Sequence, residues 1–151
     1  MTRRIAVRGI VLHEGKLLCV RLKPYKGAIK QDNSYWCLSG GGLDDGEALL
    51  AGIEREMLEE TGVKPKVGNL LYVQQFTHGG STEFLEFFFH ITNSKDYLQI
   101  DLVRSSHGLQ EIEEIRFVDP ATRHVLPEFL QTEPLEEMAA ANGAPRIISR
   151  L

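Results

Sequence analysis

Residues 40–63 read GGGLDDGEALLAGIEREMLEETGV, and this stretch decides the fold. Residues 48–60 are rich in good helix formers. Asp45 can cap the helix, and Glu47 adds an acid to its first turn, where the helix dipole favours negative charge. Thr61-Gly62 supplies a stop, with Gly62 free to take the left-handed conformation just past the last turn. At about 100° per residue, Glu56, Glu59 and Glu60 share one stripe, and Leu50, Ile53 and Met57 form an apolar stripe beside it. Such a helix buries one side against a sheet and shows three carboxylates along the border of that contact. Gly52 lies one turn before Glu56 and leaves space on the acidic stripe, at a cost of about 0.5–1 kcal/mol relative to alanine.

Like charges one turn apart oppose the helix by roughly 0.2–0.5 kcal/mol per pair. In a partly desolvated site, two carboxylates about 6 Å apart repel by about 3 kcal/mol at an effective dielectric near 20. A hard divalent cation turns that repulsion into ligation. All-oxygen ligands point to Mg²⁺ or Mn²⁺ rather than Zn²⁺. A solvated acidic face is the alternative that the helix alone leaves open.

Outward from the helix, residues 4–12 and 16–22 read as two strands joined by the turn His13-Glu14-Gly15, which suggests a hairpin. Residues 23–34 form a polar loop, and residues 35–38 a short strand running into the glycines. Residues 68–76, 83–92 and 112–118 read as strands, with a polar loop over 93–110. Asp119-Pro120 and Pro127 open short helices, and the tail 146–151 is ambiguous. Strands, a central helix, more strands and then helices make an α/β (α+β) protein with a mixed sheet. No linker, repeat or low-complexity tract divides the chain, so residues 1–151 read as one domain.

Composition narrows the class. The chain has 151 residues, 42% hydrophobic and 25% charged, which supports a packed core and argues against a disordered, fibrous or disulfide-stapled chain. The net charge of −4 gives no basic face for duplex nucleic acid. An anionic substrate would need a cation to offset that charge. Every apolar stretch is interrupted within about ten residues, too short to span a bilayer. The start MTRRIAVRGIV has no apolar core or cleavage site of a secretory signal. Cys19 and Cys37 therefore read as reduced thiols, and the expected compartment is the cytoplasm.

Residues 41–63 resemble the Nudix box, G-x5-E-x7-R-E-U-x-E-E-x-G-U, where U is a bulky aliphatic. Gly41, Glu47, Arg55, Glu56, Met57, Glu59, Glu60, Gly62 and Val63 fill every fixed position. On these residues the chain is identified as a member of the Nudix hydrolase (MutT-like) family. Ser39 is one departure, since many members carry proline before the glycines. The resemblance implies a Nudix fold, a mixed β-sheet sandwiched between helices. It also implies Mg²⁺-dependent hydrolysis, with Mn²⁺ able to substitute, in which water attacks a phosphorus of a diphosphate. Glu56, Glu59 and Glu60 match the metal-binding carboxylates, and Glu56 is the candidate for positioning or deprotonating water. The carbonyl of Gly40 is a frequent further metal ligand. Arg55 and Glu47 match positions that pair to hold the loop against the helix, so Arg55 joins the catalytic set as structural support. Many members add a metal ligand or base from outside the box. Here Glu111 is the choice among Glu111, Glu113 and Glu114, with solvated strand-entry charges as the alternative.

Arg8 shares a strand face with Ala6 and Ile10. An arginine there suggests a substrate phosphate or an internal carboxylate, and a surface edge position stays open. Arg21 and Lys23 lead into a basic loop that could cover substrate phosphates or be solvated. The phenylalanines at 84, 87, 88 and 89 read as core rather than a base-stacking platform, and His90 as a strand histidine. The reading is a hydrolase for a nucleoside diphosphate derivative, such as a nucleoside triphosphate or nucleotide sugar. A non-catalytic nucleotide-binding sensor of the same fold is the alternative, and an isoprenoid diphosphate isomerase fits less well. Specificity is expected in residues 23–34, 77–82 and 93–110, and a homodimer is left open.

Overall fold

A computed structural model describes residues 1–151. Its elements run β1 (Thr2–Ile10), β2 (Leu12–His13), β3 (Lys16–Leu22), β4 (Tyr25–Lys26), β5 (Ile29–Lys30), β6 (Gly40–Gly42), α1 (Leu49–Thr61), β7 (Val67–His78) and β8 (Thr82–Ile91). Two 3₁₀ turns, Ser94–Tyr97 and Leu102–Arg104, then lead to α2 (Gly108–Glu111), β9 (Ile112–Val118), α3 (Phe129–Thr132), α4 (Leu135–Ala140) and β10 (Arg146–Arg150). The main sheet is mixed, in the order β10-β7-β8-β1-β6. β1 runs parallel to β8 and β10 parallel to β7, while β6 and β8 lie antiparallel to β1 and β7 respectively. A second, antiparallel sheet is ordered β2-β3-β9.

Two residues of the expected apolar stripe of α1 meet the sheet, while the third, Leu50, is exposed at the start of the helix. Ile53 and Met57 are fully buried against a cluster that includes Val7, Val11, Phe89 and Ile91. Burial of each contributes about 1.5–3 kcal/mol. Gly9 permits the close approach, because a Cβ there would stand 2.5 Å from the Met57 Sδ. On the opposite face, Ile10, Tyr72 and Phe88 pack with Phe129, Leu130 and Leu135 of α3 and α4. The mixed sheet is thus covered by helices on both sides.

Several local expectations change. Residues 4–12 and 16–22 do not form one hairpin: β1 pairs with β8 and β6, and only Leu12–His13 turns back on β3. Ile10 and Val11 are both fully buried and point to opposite faces, so this strand needs cover on two sides. The chain changes sheets at that point. α1 begins later than its acids suggested: Ala48 is the extended N-cap, no side chain caps it, and the first turn holds no acid. Gly62 does end it, in the left-handed conformation with φ 75°. Residues 119–123 form a turn rather than a helix, and the ambiguous tail is the edge strand β10. No helix is long and apolar enough to cross a membrane.

Candidate active site

Two glycines set β6 close against β1 and the carboxylates of α1. Gly40 has φ 142°, and a Cβ on it would lie 2.0 Å from the carbonyl oxygen of Val7, so only glycine lets β6 sit this close to β1. At Gly41 a Cβ would come within 2.7 Å of Glu56 Oε2. The Glu56 carboxylate therefore fills the place where a side chain would otherwise stand.

Glu60 is buried, and its Oε1 accepts hydrogen bonds from the Ser39 hydroxyl and the Gly40 N–H, both at 2.7 Å. Burial pushes its carboxyl up to about 7, against the pull of those two donors. Glu56 is also raised, first by burial, with Arg55 opposing and the neighbouring Glu59 adding repulsion. Arg55 grips Glu47 in a fork, Nε to Oε2 at 2.7 Å and Nη2 to Oε1 at 2.9 Å. That fork is the main reason the Glu47 carboxyl drops to about 2. Glu47 Oε1 also accepts from the Asp44 N–H, which draws the loop onto the helix. Arg55 Nη1 reaches Glu56 Oε1 at 3.0 Å and Glu59 Oε2 at 3.2 Å. Its Nη2 also donates to the Gly42 carbonyl oxygen at 3.2 Å, which ties α1 to β6.

Arg55 brings Glu56 and Glu59 together, while Glu60 is held separately by Ser39 and Gly40. No three carboxylate, thiol or imidazole groups converge on one point. The donor set still fits a hard cation. Three carboxylates lie along one helix border, two of them in surroundings that disfavour their charge, and a glycine-only edge lies against them. A bound cation would favour the ionised forms that burial opposes.

Beside this end opens a cleft of about 690 Å³ between the two sheets. Gly40, Gly41 and Glu60 line its carboxylate end, Arg8, Gln74 and Glu86 its floor, and Val20, Leu22, Tyr35, Leu126 and Pro127 its walls. Arg8 Nε donates to Glu86 Oε2 at 3.1 Å, so the arginine on the apolar face meets an internal carboxylate while still lining the cleft. Arg21 and Lys23 are not among the lining residues. Arg21 lies over the Trp36 ring at 5.6 Å and pairs with its register partner Glu114 at 3.4 Å, because alternation along β3 puts it on the face opposite the cleft-lining Val20 and Leu22. The Lys23 backbone bonds to the Glu111 carbonyl oxygen, outside the cleft. Glu111 itself is exposed at the end of α2, and its carboxylate makes no hydrogen bond or ion pair. His107, at the start of α2, does reach the site: its N–H donates to the Glu59 carbonyl oxygen at 3.0 Å, and Nδ1 lies 3.7 Å from Glu59 Oε2. Sequence reasoning passed over Ser39 as a partner of Glu60, and over Gln74, Glu86 and His107. Only the polar positions within the apolar strands β7 and β8 offered a signal.

A NUDIX domain model matches residues 2–136. A MutT-like protein of Streptomyces ambofaciens is 36% identical over 77 residues, 50% of this chain and 45% of that protein. An ADP-ribose pyrophosphatase of Methanocaldococcus jannaschii is 38% identical over 71 residues, 46% of this chain and 38% of that protein. The chain thus matches less than half the length of these curated relatives. Among solved structures, the E. coli ORF135 protein aligns with TM-score 0.67 at 18% identity, covering 95% of this chain and 96% of that one. That likeness speaks for the fold.

Proposed function

This chain belongs to the NUDIX family, and from that premise we propose that it hydrolyses the diphosphate linkage of a nucleoside diphosphate derivative with Mg²⁺. The observation that carries the reading is the carboxylate border of α1, set against β6 at the mouth of a cleft of about 690 Å³. Glu56, Glu59 and Glu60, with the Gly40 carbonyl, are the groups that would hold the cation. Their hard oxygen donors suit Mg²⁺, with Mn²⁺ as a substitute. When bound, the cation would offset phosphate charge and acidify water.

The chain's own groups supply the rest. Glu60 has one oxygen tied to Ser39 and Gly40, which fixes the carboxylate and leaves its second oxygen free. Glu56, half-buried and raised in pKa, is suited to orient the attacking water and take its proton. Arg55, gripped by Glu47, keeps the loop and the helix in register. Arg8 lies between the carboxylate end and the far floor of the cleft. One edge of its guanidinium is tied to Glu86, and the remaining N–H groups can meet a phosphate oxygen. Attack at phosphorus breaks one P–O bond and yields two phosphorylated products. The name of the Methanocaldococcus jannaschii relative adds ADP-ribose to the substrates worth assaying beside nucleoside triphosphates. Cys19 and Cys37 are free thiols, in keeping with a reducing cytoplasm.

The test is release of phosphate, pyrophosphate or nucleoside monophosphate from a substrate panel with Mg²⁺, for the native chain and Glu56→Gln. Removing the base should lower kcat by about 10²–10⁴-fold with the fold intact. Nucleotide binding without product, unchanged by Glu56→Gln, would favour the sensor and overturn the hydrolase.

A further inference from the structure

The cleft floor beyond Arg8 carries two polar side chains that the hydrolytic reading leaves unused. Gln74 is only 4% exposed. Its amide oxygen lies buried without a partner, and Nε2 is the amide atom that reaches the cleft, where no protein acceptor meets it. Turning the amide over would bury unpaired N–H donors instead, and an orphaned N–H is rarer than an under-satisfied C=O. Glu86 is 6% exposed, and Arg8 takes its Oε2 and leaves Oε1 without a partner. The two residues are register partners across the antiparallel β7–β8 pair, which holds their Cβ atoms about 4.5–5.5 Å apart. The floor therefore presents one donor beside one acceptor, on side chains more than nine-tenths buried and aimed into a cavity. Across the main sheet the lining residues follow in the order Gly40 on β6, Arg8 on β1, Glu86 on β8 and Gln74 on β7, in steps of about 4.8 Å.

We propose that Gln74 and Glu86 bind the vicinal diol of the substrate's ribose and select ribonucleotides over deoxyribonucleotides. This rests on the nucleotide-hydrolase reading of the cleft. A hydroxyl both gives and receives a hydrogen bond. One hydroxyl of a cis diol donates to Glu86 Oε1 while its neighbour accepts from Gln74 Nε2. A nucleobase edge would draw no choice from this pair, because adenine (N6–H beside N1) and guanine (N1–H beside O6) both offer one donor next to one acceptor. The order along the cleft favours the sugar. In a nucleotide the ribose follows directly on the phosphate, and the base lies beyond it. With the phosphates at Gly40 and the α1 carboxylates, Glu86 and Gln74 are the first polar pair met after Arg8. The apolar surfaces of Phe76, Leu126 and Pro127 remain for the base. A missing hydroxyl would leave a buried donor or acceptor unpaired, at a cost in affinity.

The test is calorimetric titration with AMP, dAMP, GMP and dGMP in Mg²⁺, since monophosphates have no diphosphate linkage to cleave. AMP and GMP should each bind about tenfold more tightly than their 2′-deoxy forms, whichever the base. Gln74→Leu should bring AMP to the affinity of dAMP. Gln74→Met serves if the leucine variant does not fold, and circular dichroism checks both. Equal binding of ribo and deoxy forms by the native chain, or a ribose preference that survives both substitutions, overturns the inference and leaves the hydrolase reading standing. A loss at Gln74 that follows the base and strikes ribo and deoxy forms alike assigns the pair to the base and also overturns it. If monophosphates do not bind but the substrate panel is turned over, the kcat/KM ratio of the cleaved nucleotide to its 2′-deoxy form decides in the same way. No binding of any nucleotide, together with no turnover of the panel, removes the hydrolase reading and this inference with it.

Discussion

Glu60→Gln separates what the site costs the fold from what it does for chemistry. Glu60 is 8% exposed and has no arginine or lysine in contact, only the Ser39 hydroxyl and Gly40 N–H at 2.7 Å. Its carboxyl rises from an ordinary 4.5 to about 7, first through burial. Between those two values the folded chain binds more protons than the unfolded chain at this group. Stability is therefore fully present below the unfolded pKa and falls as pH rises through the folded one. At about 1.4 kcal/mol per pKa unit, the ionised group costs the metal-free fold on the order of 3 kcal/mol above pH 7. Glutamine keeps the shape and the acceptor for both donors but carries no charge to desolvate. In chelator at pH 8, the variant should melt about 5–10 °C above the native chain, a scale set by a domain of this size. At pH 4.5 the gap should close, since both side chains are then mostly neutral. Adding Mg²⁺ should raise the native melt more than the variant's, and the variant should have lost its hydrolysis. A variant that melts at or below the native chain at pH 8 in chelator would refute the argument.

Gly41→Ala should fold, because the obstructing atoms belong to the end of the flexible Glu56 side chain, 2.7–2.9 Å from the new Cβ. Displacing that carboxylate by about 1 Å should cut kcat by about 10²-fold, and activity within threefold of native would count against it. Ser39→Ala removes one of the two donors on Glu60 Oε1. It should cost about 1–3 kcal/mol in denaturant titrations and raise the Mg²⁺ needed for half-maximal rate; no change in either would exclude that role for the hydroxyl. Gly52→Ala should lower the melting temperature although alanine is the better helix former, because its Cβ would meet Leu43 Cδ2 at 2.2 Å. Overpacking of about 1–3 kcal/mol outweighs a propensity gain of about 1 kcal/mol, and a rise in melting temperature would reverse that ranking.

The helix carrying the carboxylates was legible because everything that defines it is local. Its apolar and acidic stripes follow from a single period, and Gly62 marks its end within the same stretch. The start was less legible. Glu47, which reads as a first-turn acid, is instead held by Arg55 and the Asp44 N–H, and the helix begins after it from an uncapped Ala48. The long strands were also readable, although residues 35–38 make only isolated bridges and the short β4, β5 and β6 went unforeseen; strand partnership was not readable. β1 lies parallel to β8, with Thr2 opposite Thr82, a pairing that no turn between them announces. The hairpin expected from residues 4–22 failed for the same reason. A turn at His13–Gly15 specifies only the residues beside it, and the rest of β1 pairs with β8 from Thr2 to Ile10.

The site divides along the same line between local and remote. Glu56, Glu59, Glu60 and Arg55 lie within two turns of one helix, so their spacing is their geometry. Gln74 and Glu86 are twelve residues apart on two strands, and each taken singly is an ordinary polar residue on an alternating strand. They become a pair only through the β7–β8 register, in which a slip by one residue would send one of them to the α1 face. Arg8 shows both halves of the problem. Its apolar strand face left a substrate phosphate, an internal carboxylate or a surface edge open, and only the parallel β1–β8 register brings Glu86 within 3.1 Å. The carboxylates are therefore written in a contiguous motif, while the floor of the cleft beside them is assembled from strands that the chain order keeps apart.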